Sequence, residues 1–157
     1  MREITKEQLA EIIEKHRLWL RDEGGEMADL RSADLRYADL SYADLRSADL
    51  SYADLRSASL RDPIIWGATG NMGEIKSIAL DTYPIAYTAE YLQIGCERHA
   101  IADWWGFDDG RISKMNSDAV IWWKKWKAFI QQAIELSPAT PTGHEESNTE
   151  ERTGSEQ

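Results

Sequence analysis

Several things are scarce in this sequence. It holds one cysteine, Cys96, in 157 residues, which excludes an intramolecular disulfide and any multi-cysteine zinc site. Basic residues are outnumbered, 18 Lys+Arg against 28 Asp+Glu, for a net charge of −10. That balance argues against gripping nucleic acid by its phosphates and against a polybasic membrane binder. No apolar run approaches the roughly 20 residues needed to span a bilayer. No signal peptide opens the chain, so a soluble cytoplasmic protein is expected. What is present is one typical domain's length with 42% hydrophobic residues, enough for a real core.

The charge is unevenly spread. Residues 1–27, 28–62 and 63–137 each carry a net −2, and residues 138–157 carry −4. That last stretch has no aromatic residue and no aliphatic one larger than Ala. It cannot bury enough surface to offset its ordering entropy, so residues 138–157 are expected to be a disordered acidic tail.

Residues 28–62 repeat with period five: ADLRS, ADLRY, ADLSY, ADLRS, ADLSY, ADLRS, ASLRD. A straight helix scatters positions five apart around its axis, and a flat strand sends them to alternate faces. A chain that turns a corner every five residues keeps all of its Ala and Leu inward. That is a solenoid of stacked coils at strand-like spacing.

The A-D-L-x-x pattern resembles the pentapeptide-repeat family. The resemblance implies a mainly β fold, a short right-handed quadrilateral β-helix with four repeats per coil. Leu30 is then expected beneath Leu50, Leu35 beneath Leu55, Leu40 beneath Leu60 and Leu45 beneath Ile65. Pro63 takes an inward position in an imperfect eighth repeat, and the pattern fades after Gly70. So short a solenoid has two open ends and needs covering segments.

The flanks look built for this. Residues 1–27 are expected to form an N-terminal capping helix over 6–22. Thr5 and Gln8 make a capping box, Leu9, Ile12, Ile13, His16, Trp19 and Leu20 form an apolar stripe, and Gly24 and Gly25 supply the stop. This opening followed by A-D-L repeats is similar to pentapeptide-repeat proteins of phage and prophage genomes. Residues 71–137 are expected to be a mixed α/β C-terminal cap, with short strands over 71–96, a short helix and loop over 99–115, and a final helix, 118–136, capped by Asn116 or Ser117. Two apolar sides are read on that helix, Trp122, Trp126 and Phe129 on one, and Val120, Trp123, Ile130 and Ile134 towards the other. One should pack on the solenoid's far end and the other meet a second copy or a partner.

Catalytic chemistry finds little footing. Cys96 and His99 make C-x-x-H, but His16 and His144 lie elsewhere and the ligand count for zinc is not reached. Gly67, Gly70 and Gly73 match neither dinucleotide nor P-loop spacing and read as a turn leaving the last coil. Asp108, Asp109 and Gly110 lack the spacing of a calcium loop and read as an ordinary turn. No catalytic residue, metal site or cofactor is assigned, and the chain is expected not to be an enzyme.

The outward repeat positions are the candidate partner-binding surface: Asp29, Asp34, Asp39, Asp44, Asp49 and Asp54, with Tyr37, Tyr42 and Tyr52. Stacked carboxylates resemble DNA phosphates, and the family resemblance includes gyrase-binding DNA mimics. Against this, Arg31, Arg36, Arg46, Arg56 and Arg61 neutralise most of the stripe, and a ladder of weak surface pairs is the plainer reading. Surface tyrosines beside arginines suit a protein interface. Trp104, Trp105, Trp122 and Trp126 form a candidate second interface.

The leading expectation is a non-enzymatic, phage-encoded inhibitor in the cytoplasm of a bacterial host. It binds a host protein, a nucleic-acid-binding enzyme or complex such as gyrase, a CRISPR effector or another defence protein, with no direct contact to nucleic acid or membrane. Homodimerisation is an open alternative. So are a nucleotide-signal sequestering protein, with a pocket of Trp104, Trp105 and Arg98 or Arg111, and a structural scaffold that oligomerises through its last helix.

Overall fold

The computed structural model describes residues 1–142. The expected acidic tail beyond them, 143–157 with His144, lies outside the described residues. The chain begins with β1 (Arg2–Glu3) and α1 (Lys6–Leu20). Thr5 and Gln8 form the reciprocal capping box at the start of α1. The helix stops two residues short of the expected end. Arg21 closes it, and the chain reverses at Asp22 in the left-handed region before the glycines are reached.

From Ala28 the period-five sequence becomes a period-five backbone. Isolated parallel bridges join Asp29 to Asp49, Asp34 to Asp54, Asp39 to Ser59, Asp44 to Ile64 and Asp49 to Thr69. Each partner lies twenty residues on, so this segment is a β-helix solenoid. Leu30, Leu35, Leu40, Leu45, Leu50 and Leu55 are essentially sealed from solvent inside it. The ladder runs on through Ile64 and Thr69, with Pro63 and Ile65 buried at inward positions. Little more than two coils are made, and the sides are single bridges apart from β2 (Ala33–Asp34). With this little strand and this much helix, the chain is mixed α/β and not mainly β.

The corners have a common geometry. Ser32, Tyr37, Tyr42, Ser47, Tyr52, Ser57, Asp62, Gly67 and Met72 all have φ between 47° and 69°. Across most corners the Leu carbonyl accepts from the next Ala N–H, as in Ala33 to Leu30 at 3.2 Å and Ala48 to Leu45 at 3.0 Å. A positive φ at the third residue of such a turn is the type II signature. Pro63 has no N–H to give, so the corner at Asp62 goes without that bond.

Both ends of the solenoid meet other segments. At the first coil, β1 pairs in parallel with β2. Leu9 joins the solenoid's hydrophobic cluster, and Ile12 and Ile13 pack against it. At the last coil, Ile75 and Ala86 enter the same cluster. A sheet of four antiparallel strands follows, β3 (Lys76–Ile78), β4 (Ile85–Tyr87), β5 (Tyr91–Ile94) and β6 (Glu97–Ala100), in sequential order. Then come α2 (Ile101–Gly106), α3 (Asp109–Ser113) and α4 (Ala119–Leu136).

These elements make a second hydrophobic core, in which Trp104, Trp122, Trp123, Ile130 and Ile134 pack against Ile85, Leu92 and Ile94. The final helix therefore packs on this sheet and not on the solenoid's far end, because strands supply the nearer apolar face. Asp108 accepts from the Arg111 N–H at 2.7 Å and starts α3, where a simple turn is expected from sequence. Asp118 stands at the start of α4 in place of Asn116 or Ser117. The expected tail also begins too early. Ala139 is buried in the second core, the Thr140 N–H donates to the Gly73 carbonyl at 3.0 Å, and the Tyr87 hydroxyl donates to the Ser137 carbonyl at 2.7 Å. A small side chain in a tight gap, with satisfied backbone, orders a segment that composition alone reads as free.

Candidate interaction surface

Each aspartate of the repeat first serves its own corner. The carboxylates of Asp29, Asp34, Asp39, Asp44, Asp49 and Asp54 accept from the backbone N–H two residues on, at 2.9 to 3.3 Å. This is the Asx arrangement that favours Asp before a turn. Where Arg occupies that second position, its guanidinium closes a two-pronged pair with the same carboxylate. Asp29–Arg31, Asp34–Arg36, Asp44–Arg46 and Asp54–Arg56 are paired at 2.6 to 2.8 Å. Arg36 also lies 4.0 Å from Asp54 on the coil above.

These pairs shift the carboxyl groups. The Arg31 guanidinium, with the Arg31 N–H, holds Asp29 far below the usual carboxylate range. Arg36 and its N–H lower Asp34 to about 2. Arg56 lowers Asp54 likewise. At Asp44 burial pushes the pKa up most strongly of any single cause, yet the bonds to Arg46 together prevail and the net shift is down. Four of the six carboxylates of the stripe are therefore held ionised in neutral couples with arginine and are not free negative charges.

The tyrosines differ from the aspartates. Tyr37, Tyr42 and Tyr52 are 81%, 64% and 78% exposed. All three occupy left-handed corner positions, which turn the side chain away from the inward Leu. Stacking by twenty residues puts them on three different corners. Tyr37 and Tyr42 are neighbours on the first coil, and between that edge and α1 runs a groove of about 790 Å3. Ala10, Ile13 and Arg17 line its helix side, and Ala38 and Ala43, only partly buried, lie on its floor. Tyr52 is not part of it.

The tryptophan set does not form a surface as a group. Trp104 and Trp122 are buried, Trp104 donating to the Leu92 carbonyl at 2.8 Å and Trp122 to Asp81 at 2.6 Å. Trp105 stacks on buried Trp123, and Trp126 donates to Asp81 at 3.1 Å. A nucleotide pocket is not assembled from them. Arg98 is turned away to the Asp62 and Pro63 carbonyls, both at 2.9 Å, and Arg111 lies over Phe107. The cavity that Trp104 and Trp123 do line, of about 90 Å3, has Glu97 as its charged neighbour and no arginine or lysine. A phosphate finds no counter-charge there.

Sequence reasoning missed one exposed feature. The division of α4 runs elsewhere than the periodicity suggests. Trp122 faces the core beside Trp123, while Ile121, Phe129 and Leu136 face solvent. Among the described residues, no group of His, Cys, Asp and Glu is arranged to hold a metal ion. None of their helices is long and apolar enough to cross a membrane.

Comparison with known families agrees with the backbone. Residues 28–62 match the family model for pentapeptide repeats, with 8 copies. No curated protein and no solved structure matches the chain.

Proposed function

On the premise that this chain is a pentapeptide-repeat protein, with its array over residues 28–62, we propose that it is a non-enzymatic protein-binding module. The groove between α1 and the first coil receives a polypeptide segment of the partner. The carrying observation is that Tyr37 and Tyr42 stand exposed at adjacent rigid corners beside that groove. Tyrosine offers large contact area at low conformational cost, and Tyr and Arg are the usual anchors of protein interfaces. Arg17 and Arg36 border the same groove. In this reading α1 at one end and the C-terminal sheet at the other serve as caps that keep the short solenoid rigid.

Charge mimicry of DNA has less support. Four of the six repeat aspartates are already neutralised by an arginine two residues on. A duplex presents one unpaired charge per ~1.7 Å. Partner binding through the tyrosines is accordingly expected to depend weakly on salt, whereas a DNA mimic's binding falls steeply as salt rises.

The test is site-specific photocrosslinking in a lysate of the native cells, with the photoreactive residue placed at 37, 42 or 52. Expected is one shared adduct at 37 and 42, competed by unlabelled chain and weak at 52. Adducts that are equal at all three positions, or absent, reject the groove as the binding site.

A further inference from the structure

We infer that the cavity between the β5–β6 turn and the start of α4 binds a small methylated ammonium cation, of the kind carried by choline. Its volume is about 90 Å3. That exceeds the share of a single water and falls below the roughly 300–1,000 Å3 of sites for drug-sized ligands. It has room for one compact head group. Four aromatic residues line it, Tyr83, Trp104, Trp122 and Trp123. Cys96 and Asn116, both exposed, stand at its rim.

The aromatic walls are held in place. The Tyr83 and Trp122 rings meet edge to face, 5.1 Å apart and inclined by 85°, as two sides of a box. Trp104 lies 5.3 Å from Trp123, at 49°. The Leu92 carbonyl fixes Trp104, and Trp105 backs Trp123 in a flat stack. The Trp122 N–H donates to Asp81 at 2.6 Å, and a carboxylate so placed polarises the indole. Aromatic faces attract cations, those of Trp most strongly. The protein's own cations sit on neighbouring rings, Arg111 on Phe107 and Lys125 on Trp126, each at 4.9 Å. Among the described residues no lysine or arginine lines the cavity.

Charge selects the ligand. The charged residue of the lining is Glu97. Its side chain is one-third exposed, and its Oε2 lies 3.2 Å from His99 Nε2. A cation answers that carboxylate, an anion is repelled by it, and a neutral apolar ligand desolvates it without return. An ammonium that carries N–H groups needs several acceptors, which indole faces and the side chains of Ile94, Ile112 and Met115 do not supply. A fully methylated ammonium leaves no N–H unpaired. Aromatic cages recognise quaternary ammonium groups on this basis.

Titration calorimetry of the full chain with choline chloride tests this, with sodium chloride as the blank. Expected is saturable binding of choline, at least about tenfold tighter than that of its uncharged analogue with carbon in place of the nitrogen. Glu97→Gln weakens choline several-fold and leaves the analogue unchanged. Tyr83→Leu also weakens choline, with circular dichroism to check folding. Glu97 is partly exposed and Gln has its shape, so that variant keeps the fold even if Tyr83→Leu does not. Phosphocholine binds more weakly than choline, because its phosphate meets Glu97 and no basic group. A peptide with one trimethyllysine, titrated in parallel, identifies the source of the cation. Tighter binding of choline supports a free metabolite, and tighter binding of the peptide supports a methylated partner in the same cage. No saturable binding of choline at millimolar concentrations overturns the proposal. So does an analogue or a phosphocholine that binds as tightly as choline, or choline binding that Glu97→Gln leaves intact.

Discussion

The His16 ring spans the first coil, with Nε2 2.7 Å from the Arg46 carbonyl and Nδ1 accepting from the Ala28 N–H at 2.9 Å. Since Nδ1 accepts, the ring proton sits on Nε2 and is donated to Arg46. One side chain from α1 thereby satisfies a backbone donor and a backbone acceptor that no coil below can reach. His16 is completely buried. Replacing it with Phe keeps the volume and strands both groups, and the expected loss is about 2–4 kcal/mol, one desolvated group at a time. Urea denaturation reads this directly. An unchanged midpoint would show that α1 is dispensable to the coil.

Two glycines of the last coil should respond differently to the same methyl group. Gly67 holds the corner position at φ 69°, and an added Cβ would approach nothing nearer than the Ser47 Oγ at 3.4 Å. Gly67→Ala therefore costs about 1 kcal/mol, the left-handed penalty alone. At Gly70 a Cβ would lie 2.2 Å from the Ile75 carbonyl oxygen. Backbone on both sides cannot yield cheaply, so Gly70→Ala is expected to cost roughly 3 kcal/mol, the upper end for overpacking. Equal losses in denaturation midpoint would contradict this account of how the chain leaves the solenoid.

The solenoid was legible because five is incompatible with either regular period, so seven inward Ala and Leu positions left one solution. The outward tyrosines followed from the same count. The left-handed corners were hidden, since Ser and Tyr do not announce positive φ as glycine does. The groove was hidden too, because nothing in α1's stripe says how far it lies from Tyr37 and Tyr42. In α4, periodicity yields two apolar arcs without ranking them. Tertiary contacts decide, among them the Trp122 N–H to Asp81, forty-one positions away in sequence. Trp104 and Trp105 lie in sequence with no repeat, which does not separate core from interface for them. Leu92 and Trp123, which cover them, are distant in the chain.

The Asp–Arg couples predict a definite acid response. Asp34 is held at about 2 by Arg36, against about 3.9 in an unfolded chain. A carboxyl depressed on folding contributes stability that is whole above the unfolded value and is lost as pH falls through the folded one. The thermal midpoint should therefore decline between about pH 4 and 2. The effect is modest because the pairs are exposed, and added salt should shrink it. In Arg36→Gln the decline should be shallower than in the wild-type chain. A variant with an identical profile would assign the acid response to other groups.

Gln93 couples the two cores. It is buried, and its Oε1 accepts from the Ile65 N–H at 2.9 Å, on the last coil. Arg98, the register partner of Gln93 across β5 and β6, donates to the Asp62 and Pro63 carbonyls at the preceding corner. The Pro63 corner lacks its own turn bond, so these contacts from the sheet hold it. Gln93→Leu keeps the bulk and leaves the Ile65 N–H unpaired, at a cost of about 1–3 kcal/mol. The cost should fall on coupling as much as on stability. Five of the seven tryptophans belong to the second core, so their fluorescence follows that core while far-ultraviolet dichroism follows the whole chain. The two signals should coincide in the wild-type chain and separate in the Gln93→Leu, Arg98→Ala double variant, with the solenoid melting first. Coincident transitions in that variant would mean that Ile75 and Ala86, which bridge into the solenoid's cluster, suffice to join the cores.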